Sequence, residues 1–114
     1  MRLILRRATP DDKPRILEIV AQIWEGDDDV PAVIDGWLAD ENGEVTVAAL
    51  DGEVISFAGF SWLLPGYAWF EGLRTEPTRR NIGAAKAIIH YFLDKARAGG
   101  AQGAGLRCGV QLRS

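Results

Sequence analysis

The sequence holds one cysteine, Cys108, and one histidine, His90. A lone thiol cannot close an intramolecular disulfide, and no Cys-based metal cluster can be assembled. A reducing, intracellular setting is the default, and the chain is expected to be cytoplasmic. Long apolar runs are also missing. The opening Met1-Arg2-Leu3-Ile4-Leu5-Arg6-Arg7 has only three consecutive apolar residues, too few for a signal peptide or a membrane span. There is no excess of positive charge: 13 Lys+Arg against 16 Asp+Glu leave a net charge of -3, scattered apart from Asp27, Asp28 and Asp29. Nucleic acid is therefore not an expected partner. A Gly-Lys-Ser/Thr step is absent as well, which argues against an NTP-binding loop.

What remains is the composition of one ordinary globular domain: 114 residues, 47% hydrophobic and 25% charged. A chain this short buries roughly two thirds of its unfolded surface. Its stability should lean on large side chains such as Trp24, Trp37, Trp62, Trp69 and Phe92.

Leu3 to Ala8 reads as a short strand, ended by Thr9-Pro10-Asp11-Asp12, a helix start with a capping Thr and a Pro in the first position. Ile16, Leu17, Ile19, Val20, Ile23 and Trp24 recur at helical spacing, and Gly26 stops them. Val30, Val33, Ile34, Trp37 and Leu38 predict a second, shorter helix before Asn42-Gly43. Two β-rich runs, Glu44 to Leu50 and Glu53 to Leu63, flank Asp51-Gly52, a type I′ hairpin signal. After Pro65-Gly66, a third strand runs from Tyr67 to Thr75, with a bulge or close backbone approach expected at Gly72. Ala84, Ala87, Ile88, Tyr91, Phe92 and Ala96 form a helical stripe ended by Gly99-Gly100, and Leu106 to Leu112 is a weak last strand. The order β-α-α-β-β-β-α-β gives an α/β (α+β) domain with a mixed, mainly antiparallel sheet.

One segment carries chemistry. Between the strand ending at Thr75 and the helix beginning near Gly83 lies Glu76-Pro77-Thr78-Arg79-Arg80-Asn81-Ile82-Gly83-Ala84-Ala85-Lys86. The first N–H groups of a helix have no internal acceptor and sit at the positive end of its dipole. Gly83 and Ala85 let an anion approach the backbone, while Arg79, Arg80 and Lys86 supply cations.

Arg80-Asn81-Ile82-Gly83-Ala84-Ala85 resembles the Q/R-x-x-G-x-G/A signature of the GNAT superfamily of N-acyltransferases. Leu73-Arg74-Thr75-Glu76-Pro77 is similar to that family's strand end of type L-x-V-x-P, and Arg6 to Asp12 to its first strand and helix start. The resemblance covers essentially residues 1–114 as one domain. It implies that backbone groups from Arg80 to Ala85 (Arg80, Asn81, Ile82, Gly83, Ala84 and Ala85) bind the pyrophosphate of acetyl-coenzyme A, with Arg79, Arg74 and Lys86 at the same cofactor site. It also implies that Leu73 and Thr75 offer backbone groups to the pantetheine arm and thioester, and that Glu71 deprotonates a primary amine acceptor. Family members continue past the fifth strand with a helix, carrying a tyrosine general acid, and two strands. The sequence given ends at Ser114, and neither Tyr67 nor Tyr91 matches that tyrosine. The expectation is a fold truncated after the fifth strand, with Leu106 to Leu112 as an open edge through which a homo-oligomer forms. A non-catalytic coenzyme A-binding or oligomerising module derived from the same fold is the alternative.

Other residues have plainer readings. His90 is a surface or packing residue, Cys108 a small buried hydrophobe, and Asp27 to Asp29 a helix cap facing water. Trp24, Trp62 and Trp69 are core residues, or walls of an acceptor pocket.

Overall fold

Thr9 starts the first helical segment as its spacing predicts. The Asp12 carboxylate accepts from the Thr9 N–H at 2.8 Å and from both Arg6 guanidinium nitrogens, at 2.8 and 2.9 Å. That side-chain pairing with Arg6, stronger than the cost of burial, holds the Asp12 carboxyl below its ordinary range.

The computed structural model describes residues 2–24, 30–40, 43–64 and 66–107, with backbone only at 23, 24, 30–33, 63, 64, 81 and 105–107. Expectations resting on Asp27 to Asp29, Pro65 and Cys108 lie outside the described residues. Strand β1 (Leu3–Arg7) is followed by a 3-10 turn (Pro10–Asp12) and helices α1 (Lys13–Trp24) and α2 (Val30–Ala39). Strands β2 (Glu44–Leu50), β3 (Glu53–Leu64) and β4 (Tyr67–Thr75) come next, then a 3-10 segment (Pro77–Ile82), helix α3 (Ala84–Ala98) and β5 (Gly103–Arg107).

The five strands lie in the order β1-β2-β3-β4-β5, antiparallel except for the parallel pair β4 and β5, which α3 connects. This is the expected α+β fold. At the β2–β3 hairpin, Asp51 (φ 50°) and Gly52 (φ 93°) are both left-handed, as a type I′ turn requires.

Strand alternation sends side chains to two cores. On one face Val45, Val47, Val54 and Phe57 meet Ile16, Ile19 and Val20 of α1 and Ile34 of α2. On the other, Ile55, Ala58, Phe60, Ala68 and Phe70 meet the α3 stripe Ala84, Ile88, Phe92 and Ala96. Phe60, Phe70 and Phe92 are mutually packed, with ring centroids 5.2–5.5 Å apart. Helices thus cover both faces, and α3 is fixed on the sheet by an aromatic cluster that Trp62 joins edge-on to Phe60.

Two expectations change. Trp37 and Trp62 are partly buried packing residues, whereas Phe57 and Phe92 are the largest fully buried side chains. The last strand begins at Gly103, earlier than the hydrophobic run at Leu106 suggests. Its register sets Gly103 beside Tyr67, where an added Cβ would lie 3.2 Å from the tyrosine ring. A glycine that reads as loop is what this close pairing accepts. Among the described residues no helix is long and apolar enough to cross a membrane, and no group of His, Cys, Asp and Glu is placed to hold a metal ion.

Candidate active site

The strand that carries Glu71 changes register in its middle. Gly59 pairs with Glu71 and Phe57 with Arg74, so Gly72 and Leu73 together face the single residue Ala58. Gly72 takes φ 71°, and a Cβ placed on it would come within 2.4 Å of the Trp37 indole. The glycine expected to mark a bulge or a close approach does both. The extra residue reverses the alternation. Glu71 therefore stays on the α2 face, while Leu73 packs on the α3 side. Simple alternation would have put the two on one face.

Pairing with β5 runs from Tyr67 to Glu71, so Gly72 to Thr75 bond to β3 alone among the described residues. The Ser56 hydroxyl, 2.9 Å from the Thr75 hydroxyl, donates to the Arg74 carbonyl at 2.8 Å and fixes this half of the strand from the β3 side.

Next to the bulge is a cavity of about 140 Å³ lined by Trp37, Asp40, Glu44, Gly59, Phe60, Ser61 and Glu71. Trp37 lies over Gly59 and Gly72 and fills the space that both glycines leave, forming one wall. Glu71 is half-buried there, and no ion pair or hydrogen bond reaches its side chain among the described residues. A carboxylate in that state is available to take a proton from a ligand in the cavity.

The turn expected to hold an anion follows the end of β4. Gly83 caps α3 with φ 89°, no side chain caps that end, and the first intrahelical bond is Ala87 N–H to the Gly83 carbonyl at 3.0 Å. The amides of Ala84, Ala85 and Lys86 thus precede the helical ladder. A Cβ on Gly83 would meet nothing within 4 Å, so the space beside this cap is empty. Ala84 buries its methyl in the core and Ile82 packs against the α3-side core, which leaves the backbone to face outward.

The sequence-derived residues divide here. Arg80 and Lys86 are exposed, and no acidic group pairs with them among the described residues. Asn81 lies in the 3-10 segment with only its backbone described, and Ala85 is half-buried. Arg79, expected as a third cation, is ion-paired with Glu53 at 3.4 Å and Glu76 at 3.7 Å. Arg74 is buried on the α1/α2 side, where its guanidinium donates to the Leu73 carbonyl at 3.0 Å. Its side chain is therefore turned into the protein and not toward the turn that opens α3. His90 is exposed, as expected. Trp69 is half-buried beside Ser61 in the strand pairing, and Trp62 lies against Gly99.

Sequence reasoning passed over a second polar group at this end of the sheet. Glu44, 7% exposed, accepts from the Tyr91 hydroxyl at 3.0 Å, from Lys95 at 3.0 Å and from the Thr46 hydroxyl. Burial pushes its carboxyl up, but the bonds from Thr46, Lys95 and Tyr91 together outweigh burial and hold it below its ordinary range. Burial, and then the bond to Glu44, raise the Tyr91 hydroxyl. A charge beginning a strand and a Tyr/Lys pair one turn apart on α3 were the available signals; only the register joins them.

Comparison with known proteins agrees with this geometry. Residues 10–112 match the family model described as acetyltransferase (GNAT) family. Among solved structures, a putative acetyltransferase from Agrobacterium tumefaciens str. C58 superposes with a TM-score of 0.79 at 24% identity, over 94% of this chain and 82% of that one. The ribosomal-protein-alanine N-acetyltransferase from Brucella melitensis biovar Abortus 2308 gives 0.75 at 19% identity, over 96% and 81%. The aminoglycoside N-acetyltransferase AAC(6')-Iy in complex with CoA gives 0.75 at 20% identity, over 98% and 80%. At these identities the likeness is one of fold. No protein of curated function matches the chain significantly. The family model spans nearly the whole sequence and the fold agrees with it: the chain belongs to the acetyltransferase (GNAT) family.

Proposed function

We propose that this protein transfers an acyl group, typically acetyl, from coenzyme A to a primary amine by direct attack. Coenzyme A would supply the activated thioester. The observation carrying this reading is the position of Glu71: half-buried on a cavity wall beside the Gly72 bulge, with no ion pair or hydrogen bond to its side chain among the described residues.

The residues fit the cofactor. The open amides of Ala84, Ala85 and Lys86 and the side chains of Arg80 and Lys86 suit a diphosphate, each charge-assisted bond contributing about 1.5–3 kcal/mol. The half-strand from Gly72 to Thr75 offers backbone groups to the amides of a pantetheine arm. A neighbour of the same fold that is solved with CoA supports the choice of ligand.

In the cavity, the Glu71 carboxylate accepts the proton that the amine loses as its nitrogen bonds to the acyl carbon and the carbon–sulfur bond breaks. A backbone N–H of Gly72 to Thr75 aimed at the acyl oxygen would stabilise the charge that develops there. Trp37 excludes water from one side of the amine and faces it with an aromatic wall.

Two assays test the reading. Calorimetry with acetyl-coenzyme A should show saturable binding, and thiol release should appear with at least one member of a panel of primary amines. Absence of binding at millimolar ligand would reject the proposal. Binding without turnover on any amine would leave a coenzyme A-binding module.

A further inference from the structure

We infer that Arg15 and Glu76 are positioning residues for the coenzyme A diphosphate. They brace α1 against the end of β4 and so fix the backbone that leads into the α3 turn. The inference rests on the acyltransferase reading above.

Glu76 is the residue between the end of β4 and the 3-10 segment that leads to Gly83. Its N–H donates to the Ile55 carbonyl at 2.8 Å, and its carbonyl accepts from the Arg79 N–H at 2.9 Å. Its side chain is 15% exposed, and its carboxylate lies 3.2 Å from Arg15 and 3.7 Å from Arg79. Backbone and side chain together thus fix where the chain leaves the sheet for the turn.

Arg15 holds the arrangement from another element. It projects from α1, with 20% of its side chain exposed. Its Nε donates to the Val54 carbonyl at 2.8 Å, one Nη binds Glu18, and the other Nη reaches Glu76 at 3.2 Å and Glu53 at 3.6 Å. Glu53 in turn bridges to Arg79. Five charged groups from α1, β3, the end of β4 and the 3-10 segment are thus closed into one network. This network also explains why Arg79 is turned away from the helix end, leaving Arg80 and Lys86 to meet phosphate. Substituting Arg15 removes a charge far away in sequence yet acts on the turn through Glu76.

The test compares acetyl-coenzyme A with S-acetyl-pantetheine, a thioester that lacks the diphosphate. Arg15→Met keeps most of the apolar stem, and Glu76→Gln keeps the shape while removing the charge, so at least one variant should fold natively. Binding measured by calorimetry and ligand-observed NMR should weaken about tenfold for acetyl-coenzyme A in either variant. Binding of S-acetyl-pantetheine should stay within about twofold of wild type. The double variant should lose little beyond either single change, because both break one contact. Unchanged acetyl-coenzyme A affinity in a folded variant would overturn the inference. So would equal weakening of both thioesters, the mark of a merely structural role. A wild-type chain that binds neither would reject the acyltransferase reading itself, before any variant is made.

Discussion

From Tyr67 to Glu71, β4 is bonded to β3 on one side and β5 on the other; from Gly72 to Thr75 it is bonded to β3 alone among the described residues. The first half sends Ala68 and Phe70 into the aromatic core under α3. The second half leads directly into the turn that caps α3. One left-handed glycine separates them. The contrast shows how one extra residue divides a strand: the half before the bulge is held in the core, and the half after it, shifted in register, delivers the chain to a helix start.

The largest expected effect comes from the fully paired half. Phe70 is 3% exposed and stacked with Phe60 and Phe92. Phe70→Ala should lower stability by about 3–4 kcal/mol in urea unfolding. A conservative change in the second half, Thr75→Val, should cost far less. Comparable losses would erase the distinction between the halves.

Next is the boundary itself. Gly72→Ala meets both an unfavourable φ and the Trp37 ring, and should cost about 3 kcal/mol. Adding Trp37→Leu should recover the steric part and leave about 1 kcal/mol of backbone strain. Additive losses in the double variant would mean that Trp37 is not what confines Gly72.

Glu71→Gln sharpens the comparison differently, because it should leave stability nearly unchanged while lowering kcat about a hundredfold. Rates of amine acylation at constant pH, beside the thermal midpoint, check it. Unaltered turnover would remove Glu71 from the chemistry.

A smaller effect is expected at Glu44. Its folded-state pKa lies below the ordinary value, so its pairing with Lys95 and Tyr91 stabilises the protein at neutral pH. That contribution is lost as the pH falls through the folded-state pKa. Glu44→Gln should therefore cost about 1–2 kcal/mol at pH 7, and progressively less in acid. A gap between wild type and variant that widens as the pH falls would contradict this sign.

Much of this architecture was legible because its signals are local. Asp51-Gly52 has one backbone solution, the Thr9 to Asp12 start closes on itself, and the α3 stripe needs only a period of 3.6. Gly72 was legible as an irregularity, but its consequence, Leu73 turning away from Glu71, depends on register against β3. The Trp37 wall, the Glu44 cluster and the Arg15 network were not legible. Each joins residues from separate elements through contacts that no spacing encodes. Arg79 and Arg80 look alike in sequence, and only the placement of Glu53 and Glu76 separates them. The fifth strand starts earlier than its hydrophobic run because its pairing with Tyr67 favours glycine over β-forming residues.

The central claim is that the unpaired amides opening α3 receive a diphosphate. The most direct measurement is a titration with coenzyme A followed through backbone ¹H–¹⁵N resonances. The account predicts that the largest shifts fall on Gly83, Ala84, Ala85 and Lys86, with smaller ones along Gly72 to Thr75. Saturable binding that leaves Gly83 to Lys86 unperturbed and shifts another surface would contradict it.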